Sequence, residues 1–204
     1  LKHVRLASDI VFGFDPQPYQ TAPPKKQVIL SVIDAYNRFD VAIAEKYEQA
    51  IIGLSRYFLS ENYEVIYMSF CAAEGDERAI ERMMAKADYG VSDKVRTYYY
   101  RGNLDEALQL IAASETVVAS RFHASILAMV FDKRVLPMAY SDKTLHALAD
   151  MKFAGPVVDV RKISDFSYDD FDSSLLQQCR IDLVKKQATK QFAELDKILE
   201  RSHD

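Results

Sequence analysis

An arginine and a histidine two positions apart, Arg121 and His123, stand where one apolar run, Thr116-Val117-Val118-Ala119, passes into another, Ala124-Ser125-Ile126-Leu127-Ala128-Met129. The chemistry open to this pair is anion recognition joined to proton transfer. A guanidinium grips a carboxylate or phosphate through two parallel N–H bonds, and an imidazole gives or takes a proton near neutral pH. If Ser120 caps a helix beginning at Arg121, the first amides and the positive end of the helix dipole face the same point. An arginine paired with a nearby acid, beside a packed histidine, has the same spacing, so the motif alone leaves both readings open.

Other residues rank by where the chain brings them. Lys143 offers a second positive charge or is a solvated loop lysine. Arg38, just beyond an apolar run, is a weaker anion-site residue, and Arg101 reads as a solvated loop arginine. His146 reads as a surface or packing residue, and Tyr98-Tyr99-Tyr100 as strand residues with stacking surface. Asp165, Asp169, Asp170 and Asp172 lack ordered ligand spacing and read as a solvated loop. Lys185, Lys186 and Lys190 read as the wet face of a helix. Competing chemistries lack their residues: the 6 glycines are too scattered for a dinucleotide fingerprint or a P-loop. A receiver domain would need an aspartate where the third strand ends in Tyr100-Arg101-Gly102. No Cys/His spacing suggests zinc, and no Gly-x-Ser-x-Gly elbow suggests a hydrolase.

The elements that must position the pair follow from apolar periodicity. Strands are predicted over 27–33, 63–70, 95–100, 115–119, 135–139 and 157–160. Between them lie helices over 41–58, from Gly75-Asp76 to about 87, from the capping pair Asn103 and Glu106 onward, to about 131, and over 144–151. A long amphipathic helix is predicted over 174–201. Continuous apolar strands, each followed by a helix, imply a doubly wound parallel sheet covered on both faces. Ligands of such sheets bind outside the carboxyl ends of the strands, where the Ser120-Arg121-Phe122-His123 junction falls.

Prolines 16, 18, 23 and 24 among polar residues read as a linker, with a domain boundary near residue 24. Residues 1–24 are then the end of a preceding domain, with strand-like runs at Val4 to Leu6 and Ile10 to Phe12, and residues 25–204 form the α/β domain. The chain begins at Leu1 without an initiator methionine, so a fragment is expected. Its 204 residues and 49% hydrophobic content suffice for a sizeable core. A net charge of -4 argues against nucleic acid as a partner. Two distant cysteines, Cys71 and Cys179, favour a reducing compartment. No run approaches the roughly 18 apolar residues of a membrane span, and the first residues given lack the basic-then-apolar order of a signal peptide.

Taken in order, Val117-Val118-Ala119-Ser120-Arg121-Phe122-His123-Ala124, Ile126-Leu127-Ala128, Val135-Leu136-Pro137 and Ala139-Tyr140-Ser141-Asp142-Lys143 resemble the signature near the C-terminus of the polysaccharide pyruvyl transferase family. The likeness is close over about residues 115–145 and loose over about 25–200. It implies one Rossmann-like half of a GT-B-like, two-domain enzyme whose active site lies between the domains. Family members transfer a pyruvyl group from phosphoenolpyruvate to a sugar of a cell-surface polysaccharide or its precursor and release phosphate. The matching positions imply Arg121 and His123 as donor-binding residues, with His123 also the catalytic acid or base. Ser120, Lys143 and Arg38 complete the expected donor site.

No metal or organic cofactor is expected, phosphoenolpyruvate being the donor substrate. The expected acceptor is a glycan or a lipid-linked sugar, and the expected place is the cytoplasm, at the inner face of the membrane through that acceptor. Most of the family's N-terminal domain, with the acceptor residues it would carry, is expected to lie outside this sequence, and this chain alone is expected to be inactive. The oligomeric state is left open. Two other readings survive: a GT-B glycosyltransferase domain using a nucleotide sugar, and a noncatalytic binding domain of the same fold.

Overall fold

Runs of β-branched residues alternate with segments whose apolar residues recur every three or four positions, and each pair folds as a strand and a helix. The computed structural model describes residues 7–90, 92–193 and 198–199. β1 (Lys25–Ser31) is followed by α1 (Val41–Ser60), β2 (Glu64–Ser69) by α2 (Asp76–Ala87), and β3 (Val95–Tyr99) by α3 (Leu104–Ala113). β4 (Ser114–Ala119) leads to α4 (Phe122–Val130), β5 (Arg134–Ala139) to α5 (Asp142–Asp150), and the short β6 (Val158–Asp159) to a 3-10 turn at Val160–Asp165. The strands form one parallel sheet of six, in the order β3-β2-β1-β4-β5-β6.

Because strand side chains alternate between faces, β1 feeds both cores. Val28 and Leu30 join α1 and α2 residues such as Tyr47, Leu54, Ile80 and Met83 on one face. Ile29 joins Leu108, Ile111, Ile126, Met129 and Leu148 of α3, α4 and α5 on the other. The sheet is therefore doubly wound, as its continuous apolar strands require. β3 is one of the two edge strands, and its Arg96 and Thr97 are exposed, which guards that edge against pairing with another chain.

The strand order reverses between β1 and β4. From β1 the chain moves outward to β2, and from β4 it moves the other way to β5. The segments that leave these two strands diverge and open a crevice at their carboxyl ends. Register brings those ends level, with Ser31 opposite Ala119 and Ala119 opposite Pro137.

Two readings change at the ends of the chain. The long helix predicted over 174–201 is replaced by a 3-10 turn at Ser173–Leu175, capped by Asp172, and by α6 (Asp182–Thr189). The reason is that Leu176 is buried in the α1 face and Ala188 in the α4 face, and Gln177 bridges to Val135 between them. One straight helix cannot pack on both faces of a sheet. Leu195 and Arg201 lie outside the described residues, as does the predicted strand Val4 to Leu6. The predicted strand at Ile10 to Phe12 is a 3-10 turn, Ile10–Gly13, capped by Asp9. It packs on the domain rather than away from it: Phe12 is buried against α4-side residues, and Ser8 donates to the Val184 carbonyl. Among the described residues, no helix is long and apolar enough to cross a membrane.

Candidate functional site at the carboxyl ends of β1 and β4

The β4–α4 junction is built one residue later than the sequence suggests. Arg121, extended at φ -82 and ψ 134, is the N-cap, and the helix starts at Phe122. The first bond back to the cap runs from the Ser125 amide to the Arg121 carbonyl. No side chain caps this terminus, so the amides ahead of Ser125 face the crevice without a capping side chain.

Ser120 is thus not the cap. It is buried, its amide donates to the Ser31 carbonyl, and its hydroxyl shares a 2.7 Å hydrogen bond with Tyr47. The Tyr47 hydroxyl also accepts from the Ile33 amide at 3.1 Å. One phenol therefore ties the segment leaving β1 to the segment leaving β4 and holds the crevice floor. Burial keeps the Tyr47 phenol protonated, its pKa raised despite the bonds from Ser120 and Ile33.

Arg121 turns toward the loop after β2, where its side chain is 12% exposed. Its Nε donates to Asp76 Oδ2 at 3.0 Å, Nη2 donates to Asp76 Oδ1, and Nη1 donates to Glu74 Oε2. Asp76 is fully buried and also accepts from the Cys71 amide at 3.0 Å and the Phe70 amide at 3.3 Å. Burial by itself would lower the Arg121 pKa, but the hydrogen bonds to Asp76 and Glu74 outweigh it and leave the pKa raised. The arginine is a permanent cation at the crevice.

Arg38, from the segment after β1, reaches the same Glu74 Oε2 through Nη2 and lies over the Tyr140 ring, 4.5 Å from its centroid. Loops after β1, β2, β4 and β5 therefore meet at one point. Asn37 ties two of them together, its Nδ2 donating to the Glu74 carbonyl at 3.0 Å. Gly75, at φ +87, permits the tight approach; a Cβ there would lie 2.6 Å from Asp34 Oδ2. The Arg121 hydrogen bond, then Coulombic attraction to Arg121 and Arg38, hold the Glu74 carboxyl below its usual pKa against the opposing effect of burial. Its ion pairs are present above the usual carboxylate range and are lost as pH falls through the lowered value.

Behind this point Asp34 accepts from Arg82 at 2.6 Å, and Glu48 accepts from Arg82 at 3.0 Å and from Lys86 at 2.6 Å. These pairs clasp α1 to α2 and neutralise the buried acids.

The other predicted site residues diverge. His123 is exposed and faces the opposite side of the junction, its Nε2 3.6 Å from Asp9 Oδ2. There it lines an apolar groove of about 550 Å³ shared with Ile10, Phe14, Leu104 and Phe192. Lys143 does not reach Arg121; its Nζ lies 4.5 Å from the Phe122 ring centroid. Arg121 and Arg38 are brought together, Ser120 supports them from below, and His123 and Lys143 flank the helix start. Glu74 and Asp76 were not foreseen. Their signal was faint: two acids around a glycine at the end of β2, a strand separated from the Arg121 strand only by β1.

The chain matches the model of a known protein family, polysaccharide pyruvyl transferase, over residues 1–142. That span contains β1 to β5 and the whole Arg38, Glu74, Asp76, Arg121 and His123 constellation. Among solved structures, the C-terminal domain of a glycosyl transferase group 1 family protein (LpcC) from Francisella tularensis is similar, at 14% identity and a TM-score of 0.46 over 89% of this chain and 92% of that chain.

Proposed function

The chain belongs to the polysaccharide pyruvyl transferase family, and on that premise we propose that it transfers a pyruvyl group from phosphoenolpyruvate to a sugar of a cell-surface polysaccharide or its precursor. The observation that carries this reading is the convergence of Arg38 and Arg121 on a single carboxylate oxygen beside an uncapped helix start. Two guanidinium groups and a set of unpaired amides suit a donor that carries both a carboxylate and a phosphate.

Arg121 has five N–H donors. Asp76 takes its Nε and Nη2 side, which fixes the plane of the guanidinium, and the outer Nη1/Nη2 end, where Nη1 donates to the partly exposed Glu74, is the end a ligand would take. In the proposed complex the donor's anionic groups lie against that end and against the first-turn amides of α4, and its methylene extends across the helix start toward His123. One sugar hydroxyl attacks the carbon that bears the phosphate as the methylene carbon takes a proton and becomes a methyl group, and a second hydroxyl of the same sugar replaces the phosphate, so that two C–O bonds form to the sugar while the C–O bond to phosphate breaks. The two hydroxyl protons end on the methyl group and the departing phosphate, and His123 delivers the proton to the methylene carbon or assists phosphate departure. Lys143 adds positive charge at the rim. The reading assigns the acceptor as a glycan or lipid-linked sugar and the reaction to the cytoplasm, at the inner face of the membrane where the acceptor is lipid-linked.

The test is phosphate release from phosphoenolpyruvate that depends on a glycan acceptor, measured on the full-length protein, with donor affinity measured alongside. Arg121→Lys keeps the charge but loses the planar fork. It is expected to weaken phosphoenolpyruvate binding about 10- to 100-fold, the loss of one or two charge-assisted hydrogen bonds at about 1.5–3 kcal/mol. Thermal stabilisation by nucleotide sugars with no response to phosphoenolpyruvate would instead favour a glycosyltransferase.

A further inference from the structure

Glu74 occupies the place that the proposed donor needs. Its Oε2 bridges Arg38 Nη2 and Arg121 Nη1, so a carboxylate of this chain already sits between the two cations. We propose that Glu74 is a built-in stand-in for the ligand's oxyanion, displaced when a carboxylate or phosphate enters. This inference rests on the reading of the Arg38–Arg121 crevice as the donor site.

Three features separate Glu74 from a fixed structural partner. Its neighbour Asp76 is fully buried and bonded to two backbone amides, whereas the Glu74 side chain is 45% exposed. Glu74 ends a three-residue 3-10 turn, Ala72–Glu74, and is followed by Gly75 in the left-handed region, a short element with a pivot at its end. Its two partners do not depend on it for their positions: Asp76 holds Arg121 from the side, and Arg38 rests on the Tyr140 ring. Rotation of Glu74 into solvent would leave both guanidinium groups in place with their inner faces free.

The exchange conserves charge at the crevice. An exposed carboxylate leaves and another anion enters, so the arginines are never left as uncompensated cations. The cost of releasing this partly exposed carboxylate is offset by the entering anion's own bonds to the same two guanidinium groups. A neutral ligand gains nothing by expelling Glu74, so the same residue selects for anions.

Titration calorimetry on the whole chain tests this with phosphoenolpyruvate, inorganic phosphate and pyruvate against wild type, Glu74→Gln and Glu74→Ala. Both variants are expected to bind phosphoenolpyruvate about tenfold more tightly than wild type, since the internal competitor is gone. Whichever of phosphate and pyruvate shows the same gain identifies the group that replaces Glu74. If wild type binds phosphoenolpyruvate and both variants bind it equally or more weakly, Glu74 positions the arginines and the inference is overturned while the donor-site reading stands. If neither wild type nor the Glu74 variants bind it, the donor-site reading fails and this inference with it.

Discussion

His123→Ala is expected to slow pyruvyl transfer by about 10²- to 10⁴-fold, the usual contribution of a positioned general acid or base, while phosphoenolpyruvate affinity changes by less than about threefold. The asymmetry follows from the site's division of labour. Arg121 and His123 leave the same turn in opposite directions, one toward the Asp76 loop and the other toward Asp9 and the apolar groove. The proposed anion grip lies on the arginine side, so removal of the imidazole is expected to leave it intact. His123 is also exposed and makes no described hydrogen bond that supports the fold, so the variant should melt within about a degree or two of wild type, as surface substitutions do. Steady-state kinetics together with donor binding check this. Normal transfer by His123→Ala would remove the residue from the chemistry, and a loss confined to KM would make it a binding residue only.

Asp76→Ala is expected to have the largest effect on the fold, lowering stability by about 3–5 kcal/mol, the usual result of removing one partner from a buried ion pair. Three groups lose their acceptor at once: the Arg121 guanidinium and the amides of Phe70 and Cys71. For a chain of this size that corresponds to a drop in melting temperature of roughly 6–20 °C. Asp76→Asn keeps an oxygen for the amides and should fall between alanine and wild type. Donor binding should be lost with both, because Arg121 no longer has a fixed plane. Thermal unfolding of the two variants decides the point. A melting temperature near that of wild type in Asp76→Ala would mean that the loop finds another acceptor and that Arg121 is held some other way.

The alternation of strand and helix was legible because local apolar spacing determines it. β1 to β5 and α1 to α5 stand within a few residues of their predicted bounds, since continuous apolar runs and periodic ones differ in every window. That the Ser120-Arg121-Phe122-His123 junction falls at the carboxyl edge of the sheet was legible for the same reason, since it follows directly on a strand of a parallel sheet. The Ser120 cap was displaced by one residue because Tyr47, 73 positions away, captures the serine hydroxyl. Asp76 and Glu74 were missed because their meaning is non-local. In the chain Gly75-Asp76 marks a helix start, and its pairing with Arg121 across 45 residues exists only once β1 has been placed between β2 and β4. Of the two readings left open for Arg121, the pairing with nearby acids is what the fold shows, through Asp76 and Glu74, and anion recognition is the proposal. The overlong final helix failed for a tertiary reason too, since apolar spacing does not reveal that Leu176 and Ala188 belong to opposite faces.

The central claim is that the start of α4, with Arg121 at its cap, binds the anionic end of phosphoenolpyruvate. Amide chemical shifts of the labelled protein, followed during titration with phosphoenolpyruvate, test it most directly. The largest saturable changes are expected at the Phe122, His123 and Ala124 amides and at the Arg121 Nε–H, with smaller ones in the loop that carries Glu74. Saturable changes confined to other parts of the chain, or none at these four groups at saturating donor, would contradict it.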